Sequence, residues 1–401
     1  MNILHTADWH LGHRLHEQSQ FEEQKAFLDW LTQTIVTEQI HVLLVSGDIF
    51  DTGVPSTQSL KLYYDFLMTI RFTTCKHVVI TGGNHDSPGT LNAPKALLDA
   101  LSIKVVGKAP EQIEDEVFSF TVGQEHVMIA AVPYLRDQDI RKAISGESLE
   151  GIESRYQHAL INHYKKVGEI CVAQNVHNAP MIAMGHLFAI GGAPSDSEQK
   201  IYIGNLGDIR AADFPEEFNY IALGHLHKPQ SLGPLKHIRY SGSPNILSFS
   251  EVGYKKQVIK LEIQNNKISS IESIYLPVFR QVLREKGCFE EIKNSLLNFE
   301  STSALTPWVE IAFQETFISK EQVDALEKIG EEKGFKILKT TLSIDKPRKG
   351  LEQLILESKA IKELSPADVF ELKCKEQGVN IDENESLKDA FHEILQKVKK
   401  G

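Results

Sequence analysis

Cysteine is scarce in this sequence, and its four residues lie far apart, at positions 75, 171, 288 and 374. No two of them have the close spacing of a zinc knuckle or a redox pair. The N-terminus lacks the basic and then apolar layout of a signal peptide, and no apolar run approaches the ~20 residues that cross a bilayer. We therefore expect a cytoplasmic protein with reduced thiols and no membrane partner.

Positive charge is also in short supply. Lysine and arginine number 43 against 54 aspartates and glutamates, which leaves a net charge of −11. Because phosphate contacts dominate the affinity of proteins for nucleic acids, this excess of acidic residues argues against indiscriminate binding to DNA or RNA. It does not exclude a local basic surface or a partner that supplies one.

The chain has 401 residues, too many for one compact core, so two or three domains are expected. In the first two-thirds, apolar runs alternate with amphipathic helical patterns. Such alternation predicts an α/β architecture in which sheets are buried between helices. The first six elements are strands at 2–7, 41–47 and 76–82 and helices at 22–40, 56–72 and 92–101.

The character of the sequence changes near residue 277. The patterns that follow indicate a small α+β unit, with helices near 285–298 and 320–334 and strands at 308–313 and 335–343. After residue 350, charged helical stretches carry only narrow apolar stripes, which cannot form a core alone and must dock on something. We expect three domains, at 1–276, 277–350 and 351–401.

Five predicted strands each end in polar residues, as in the stretch VVITGGNHDSPG at 78–89. Because ligand sites of open α/β sheets lie outside the carboxyl ends of strands, all five clusters fall on one rim if the strands share a sheet edge. Each cluster also has a structural alternative as a turn, a helix cap or a satisfied histidine pair. The clusters are Asp8-Trp9-His10, Asp48 to Asp51, Asn84-His85-Asp86, Gly185-His186 and His225-Leu226-His227.

The residue types in these clusters indicate a metal site. Aspartate, histidine and asparagine without cysteine form an oxygen-and-imidazole set suited to hard or borderline divalent metals. Seven ligands are too many for one tetrahedral zinc. They fit two metals bridged by a carboxylate, about 3.5–4 Å apart, the arrangement used for in-line displacement at phosphorus.

This ordered set of motifs resembles the calcineurin-like metallophosphoesterases. The resemblance implies that Asp8, His10 and His227 hold a first metal and that Asp48 bridges it to a second. It implies that Asn84, His186 and His225 complete the second site. His85 would then protonate the leaving oxygen as general acid, and Asp51 would orient His85. For Asp86 we expect bonds to the backbone or a neighbouring loop and no chemistry.

Further stretches resemble the SbcD family, the nuclease subunits of bacterial SbcCD complexes. These stretches are DWHLGHRL, GDIFDTGVPS, VPYLRD and YSGSPNILSFSE, with LSPADVF and LKDAFHEIL in the tail. The resemblance implies a metallophosphoesterase β-sandwich flanked by helices, a small α+β capping domain that serves in DNA recognition, and a helical tail. It also implies manganese-dependent exonuclease and endonuclease activity on DNA ends and hairpins, in repair and recombination.

The same resemblance implies a partner, the coiled-coil ATPase SbcC, on which the tail docks, and a homodimer of the chain within a heterotetramer. The sequence has no G-x-x-x-x-G-K-[ST] motif, so any dependence on ATP must come from that partner. A basic footprint on DNA is expected near the rim, with Arg14 as the main candidate. The other candidates are His13, Arg136, Lys228, Lys255 and Lys256.

Two other functions compete with the DNA nuclease. A small-molecule phosphodiesterase or phosphatase would need neither the tail helices nor a partner. A non-enzymatic scaffold with the same fold would have lost ligands, yet every metal position and the acid histidine are present. The tail and the YSGSPNILSFSE stretch favour the nuclease.

Overall fold

The structure, a computed structural model, describes residues 1–136, 139, 149–194, 209–315, 317–342, 370, 374 and 391. The chain divides into two compact units, Met1–Leu342 and Ser343–Gly401, and the elements described below belong to the first. The helical tail predicted at 351–401 lies outside the described residues, apart from three isolated positions. Within the described ranges, no helix is long and apolar enough to span a membrane.

The first large sheet has six strands. They are β1 (Asn2–Thr6), β4 (Val42–Ser46), β5 (His77–Thr81), β6 (Ile103–Val106), β15 (Gln257–Gln264) and β16 (Lys267–Tyr275). Their order is β16-β15-β1-β4-β5-β6. The four strands from β1 to β6 are parallel, whereas β15 runs antiparallel to β1 and pairs with β16 as a hairpin.

The second large sheet also has six strands. They are β7 (Val117–Val122), β8 (Glu125–Ala131), β9 (Met181–His186), β12 (Tyr220–Gly224), β13 (Gln230–Leu232) and β14 (Leu235–Tyr240). Their order is β13-β14-β12-β9-β8-β7. Parallel pairing of β8, β9, β12 and β14 leaves antiparallel strands only at the two edges.

Helices and short strands complete this part of the chain. The helices are α1 (Phe21–Thr37), α2 (Thr57–Ile70), α3 (Pro88–Asn92), α4 (Lys95–Asp99) and α5 (Leu149–Gln174). The single helix predicted at 92–101 was wrong: Pro94, which lacks an amide proton, separates α3 from α4. Two-residue strands pair β2 (Arg14–Leu15) with β3 (Gln18–Ser19) and β10 (Ala189–Ile190) with β11 (Ile209–Arg210).

The two sheets pack face to face, and successive side chains of each strand alternate between the two sides. Val42 and Leu44 of β4 belong to the apolar layer between the sheets, together with Ile182 of β9. Leu43 and Val45 belong instead to a cluster with α1 and α2. Because both faces of β4 are covered, its sequence is a continuous apolar run. The predicted β-sandwich flanked by helices is confirmed.

A third sheet of three parallel strands follows the sandwich. Its elements are β17 (Arg280–Gly287), α6 (Phe289–Leu297), β18 (Leu305–Phe313), α7 (Lys320–Lys333) and β19 (Lys336–Leu342). The helix predicted near 285–298 begins later, at Phe289, because Gly287 ends a strand and Glu291 caps the backbone of Cys288. Arg280 joins this sheet to the sandwich, with its guanidinium 4.1 Å above the Trp308 ring and paired with Glu23 of α1.

Candidate metal centre

Loops after five strands meet at one end of the sandwich. Three of the strands, β1, β4 and β5, belong to the first sheet, and the other two, β9 and β12, belong to the second. The expectation of a single sheet edge is therefore corrected: the rim is shared by two sheets. The Ser46 hydroxyl donates to the carbonyl of Ala222 (3.0 Å), and the Ser46 carbonyl accepts from Nδ1 of His186 (3.0 Å), which ties the two edges together.

The approach of the two edges requires glycine. A Cβ atom on Gly224 would lie 1.9 Å from the carbonyl oxygen of Ser46, and one on Gly47 would lie 2.2 Å from Nδ1 of His186. Gly47 also has φ +82°, a conformation that favours glycine. These positions therefore allow the polar loops of the two sheets to touch.

Several predicted ligands occupy strained backbone positions. Asp8 (φ 54°), His10 (φ 44°), Asp48 (φ 50°) and His225 (φ 100°) all lie in the left-handed region, which costs free energy for residues other than glycine. Hydrogen bonds hold the first loops in place, from the amide of Asp8 to Gly47 (3.1 Å) and from that of His10 to Asp48 (3.0 Å). Such strain at clustered polar residues is typical of a functional site.

One group of ligand atoms comes from Asp8, His10 and His227, which lie within 4.8 Å of one another and are all buried. Among the described residues, Oδ2 of Asp8 and Nε2 of His10 have no hydrogen-bond partner although neither atom reaches solvent. Buried polar atoms are normally satisfied, and those left without partners require an explanation. A cation bound between these atoms would satisfy both of them.

A second group surrounds Asn84. Its amide oxygen lies 3.0 Å from Nε2 of His186 and 3.1 Å from Nδ1 of His225. Oδ2 of Asp48 lies 3.2 Å from Nε2 of His186 and 3.5 Å from Nε2 of His10, so this carboxylate contacts both groups. The structure thus brings all seven predicted ligands together, with Asp48 in the middle.

The pKa values show which ligands are ready to bind a metal at pH 7 and which must first lose a proton. Burial lowers the pKa of His10 to about 4 and that of His225 to about 3, so both rings are neutral at pH 7, the form that binds metals. Burial raises the pKa of Asp8 to about 7. Burial also acts to lower the pKa of His186, but the charge and hydrogen bond of Asp48 outweigh it and raise that pKa to about 9.

His85 lies beside the cluster, with its ring 4.9 Å from that of His10. Its Nδ1 is 2.8 Å from the main-chain carbonyl of Asp51, and its amide donates to Oδ1 of Asp48 (2.9 Å). Since a carbonyl can only accept, Nδ1 carries a proton and Nε2 is the nitrogen available to a substrate.

The Asp51 carboxylate belongs to a further group of potential ligand atoms with His10 and His85, all within 4.8 Å of one another, and its role in orienting His85 stays a prediction. This carboxylate lies 2.8 Å from Nδ1 of His13 and 3.3 Å from Nδ1 of His10, and it is the backbone of Asp51 that contacts His85. Burial acts to raise the pKa of Asp51, but the nearby His10 ring and the hydrogen bond with His13 outweigh it and hold that pKa below its usual range. Asp51 thus contacts His85 through its main-chain carbonyl and lies beside His10 through its carboxylate.

Asp86 clamps the loops that carry Asp48 and Asn84. Its carboxylate accepts from the amides of Ile49 (3.1 Å), Phe50 (3.0 Å) and Gly83 (2.9 Å). The expectation that Asp86 bonds the backbone of a neighbouring loop is confirmed. The guanidinium of Arg136, a DNA-binding candidate, donates to the Asp86 carbonyl (2.9 Å).

The remaining basic candidates differ in their surroundings. Arg14 is exposed and donates to the carbonyl of Glu17, so its contact with DNA stays a prediction. Nζ of Lys228 lies 5.4 Å from the ring centroid of Tyr254, and that of Lys255 lies 6.0 Å from that of Tyr275. The expectation for Lys256 is corrected: its side chain is 9% exposed and its ammonium pairs with buried Glu251, so it is not a freely available basic group.

Glu251 was missed at the sequence level. It lies at the end of the YSGSPNILSFSE stretch, fully buried, and its Oε1 is 3.1 Å from Nδ1 of His227. The stretch itself was a usable signal, but the separation of 24 positions along the chain gave no reason to pair the two side chains.

Comparison with known proteins agrees with this geometry. Residues 1–229 match the calcineurin-like phosphoesterase family, and residues 278–378 match the Type 5 capsule protein repressor C-terminal domain. The chain is 37% identical over 316 residues to the SbcD component of nuclease SbcCD from Escherichia coli (strain K12), covering 78% of this chain and 77% of that protein.

Two further relatives have the same name. The protein of Rhodobacter capsulatus is 36% identical over 279 residues, 66% of each chain, and that of Bacillus subtilis (strain 168) is 32% identical over 293 residues, 72% of each chain. The chain belongs to the calcineurin-like phosphoesterases and, within them, to the SbcD family.

Proposed function

We propose that this chain is the nuclease component of an SbcCD complex. It hydrolyses DNA phosphodiesters with two divalent metal ions, which we expect to be Mn²⁺. The observation that supports this most directly is the position of Asp48, whose carboxylate contacts the histidines of both ligand groups. The carboxylate and amide oxygens and the lack of thiolates are compatible with manganese. The similarity to the SbcD nucleases favours DNA as substrate.

The assignment of ligands follows the two groups. Asp8, His10 and His227 hold the first ion, Asn84, His186 and His225 hold the second, and Asp48 lies between them. When bound, two such ions stabilise the charge on the attacking and leaving oxygens of an in-line displacement. Asn84 contributes a neutral oxygen, which limits the negative charge that would otherwise repel a phosphate.

His85 serves as the general acid in this proposal. Its Nδ1–H donates to the Asp51 carbonyl, which holds the ring plane and leaves Nε2–H of the imidazolium to protonate the leaving oxygen. The hydrogen bond from its amide to Asp48 places this acid next to the carboxylate shared by both ligand groups.

The wider assembly follows from the same proposal. The partner is the coiled-coil ATPase SbcC, the substrates are DNA ends and hairpins, and the complex works as a homodimer of this chain within a heterotetramer in the cytoplasm. Residues 1–276 form the nuclease domain, 277–350 the capping domain for DNA recognition, and 351–401 the tail that docks on SbcC. Arg14 contacts DNA near the rim.

The test is cleavage of end-labelled linear and hairpin DNA by the full chain with added Mn²⁺, alone and with SbcC. Asp48→Asn should abolish cleavage because it removes charge from both ion positions, whereas Asp65→Asn, at an exposed ion pair on α2, should not. Bis-p-nitrophenyl phosphate is assayed in parallel. Hydrolysis of this small diester without any DNA cleavage, even with SbcC, would favour the small-molecule phosphodiesterase.

A further inference from the structure

The last residue of the YSGSPNILSFSE stretch forms a buried contact with the metal cluster. Glu251 ends the short 3₁₀ helix Phe249–Glu251 and is 0% exposed. Its Oε1 lies 3.1 Å from Nδ1 of His227, which belongs to the same group as Asp8 and His10. An ionised carboxylate can only accept a hydrogen bond, so Nδ1 of His227 carries the proton in this contact.

The second carboxylate oxygen of Glu251 is held by two donors, Nζ of Lys256 at 2.6 Å and the amide of Leu247 at 3.3 Å. The Ser243 hydroxyl is also nearby at 3.4 Å, but its shorter hydrogen bond is to the Asn245 carbonyl (2.9 Å). Nζ of Lys256 also donates to the Ser243 hydroxyl (2.8 Å). A buried carboxylate without a cation would be costly, and the ammonium of Lys256 offsets that cost. Glu251 is therefore kept as a charged acceptor.

We propose that Glu251, held by Lys256, is a positioning residue that directs Nε2 of His227 toward the first ion. This inference rests on the proposed two-metal function. With the proton fixed on Nδ1, the lone pair of the imidazole is on Nε2, and the carboxylate increases the basicity of that nitrogen. Lys256 and Glu251 thereby link β15 to the metal centre.

A role limited to loop packing predicts a different result. Glutamine has nearly the same shape as glutamate, so Glu251→Gln preserves the packing of the 3₁₀ helix. It removes the charge that raises the basicity of His227 and leaves Lys256 without its carboxylate partner. A packing role would lower thermal stability alone, whereas a positioning role would change the tautomer of His227 and the affinity for one ion.

The chain provides a matched control at a second buried glutamate–histidine pair. Glu116 is 0% exposed, and its Oε2 lies 2.8 Å from Nε2 of His163, a residue outside the ligand groups. Glu116→Gln therefore makes the same substitution at another buried glutamate–histidine pair, outside the proposed metal centre, although the second oxygen of Glu116 has no hydrogen-bond partner among the described residues.

The experiment titrates Mn²⁺ into the full chain by calorimetry, with free Mn²⁺ followed by electron paramagnetic resonance. Glu251→Gln should weaken one of the two ions roughly 10- to 100-fold and leave the other unchanged. Glu251→Asp keeps the charge but shortens the side chain, and it should also weaken that ion. Glu116→Gln should bind both ions as the wild type does.

A second readout follows the imidazole itself. In ¹⁵N-histidine-labelled, ion-free protein, the His227 signals, identified by their loss in His227→Asn, should show the Nδ1–H tautomer and change in Glu251→Gln. Unaltered affinity and tautomer in both Glu251 variants would overturn the positioning role, as would equal weakening in Glu116→Gln. A wild-type chain that binds no Mn²⁺ would instead refute the proposed function.

Discussion

The two ion positions are built differently behind their ligands. In the first position, His10 and His227 each have a carboxylate behind the ring, from Asp51 at 3.3 Å and Glu251 at 3.1 Å. In the second, Nδ1 of His186 donates to a neutral group, the Ser46 carbonyl, at 3.0 Å. A carboxylate partner makes an imidazole a more basic ligand. We therefore expect the first position to hold its ion more tightly and the second to lose its ion first.

The largest expected effect is on the cleavage rate in His85→Gln, a variant that should leave ion binding at both positions unchanged. His85→Gln should lower the rate of DNA cleavage by about 10²- to 10⁴-fold, the usual contribution of a general acid, while both ions remain bound. The loss should be smaller with bis-p-nitrophenyl phosphate, because p-nitrophenolate leaves without needing a proton. Rates and Mn²⁺ stoichiometry are measured on the same samples.

The control for this variant is His177→Gln. His177 is exposed and precedes β9, whose opposite end carries His186. Equal losses on DNA and on the activated diester would contradict the acid role. Loss of an ion in His85→Gln would show that His85 is itself a metal ligand. The assignment of ligands to the two ion positions would then have to change.

The next effect is confined to the first position. Asp51→Ala removes the carboxylate behind His10 but keeps the main-chain carbonyl that contacts His85. We expect the first ion to bind roughly 10- to 100-fold more weakly, with cleavage restored by saturating Mn²⁺. Asp29→Ala, at an exposed ion pair of α1, serves as the control.

The same variant tests whether the carboxylate or the main-chain carbonyl of Asp51 orients His85. If cleavage by Asp51→Ala stays low at saturating Mn²⁺, as expected for His85→Gln, then the carboxylate orients His85 after all. Recovery at high Mn²⁺ would agree with orientation through the backbone carbonyl.

The smallest effect is a difference in pH dependence between the two ions. In the ion-free site, burial raises the pKa of Asp8 to about 7. Burial acts to lower the pKa of His186, but the negative charge of Asp48 outweighs burial and raises that pKa to about 9. Each group must lose its proton to bind a metal, so affinity rises with pH below its pKa and levels off above it.

Titrations of Mn²⁺ between about pH 6 and pH 8.5 should therefore give two different curves. The affinity of the first ion should level off near pH 7, and that of the second should continue to rise by about tenfold per pH unit. Two parallel curves would contradict the assignment of Asp8 to the first position and His186 to the second.

The sequence was sufficient to predict which polar side chains meet at the rim, because each of them ends a strand or follows one closely. Asp8, Asp48 and Asn84 come after apolar runs whose carboxyl ends meet in the folded sandwich. The position of these residues depends on local patterns and on general rules of sheet topology. The division of the strands between two sheets did not show in the sequence, since a strand buried on both faces gives the same apolar run in either sheet.

The contacts behind the ligands were harder to predict. Whether the carbonyl or the carboxylate of Asp51 contacts His85 depends on loop torsions, which composition and spacing do not reveal. Glu251 and Lys256 are close in sequence, but the contact of Glu251 with His227 spans 24 positions, and no sequence pattern links the two. The strand β17 was partly mistaken for a helix because it contains charged residues, among them Arg284, which pairs with Glu310 of β18.

The position of β1 in its sheet has a consequence for the order of events during synthesis. β1 is made before β4 and β15, the two strands that flank it, and its Asn2 pairs with Glu262. Until residue 262 leaves the ribosome, β1 has an open edge to which other chains can add. A nascent chain that ends before His225 also lacks proposed ligands of both ion positions. The segment from His225 to Glu262 therefore covers the open edge of β1 and completes the proposed ligand set in the same stage of synthesis.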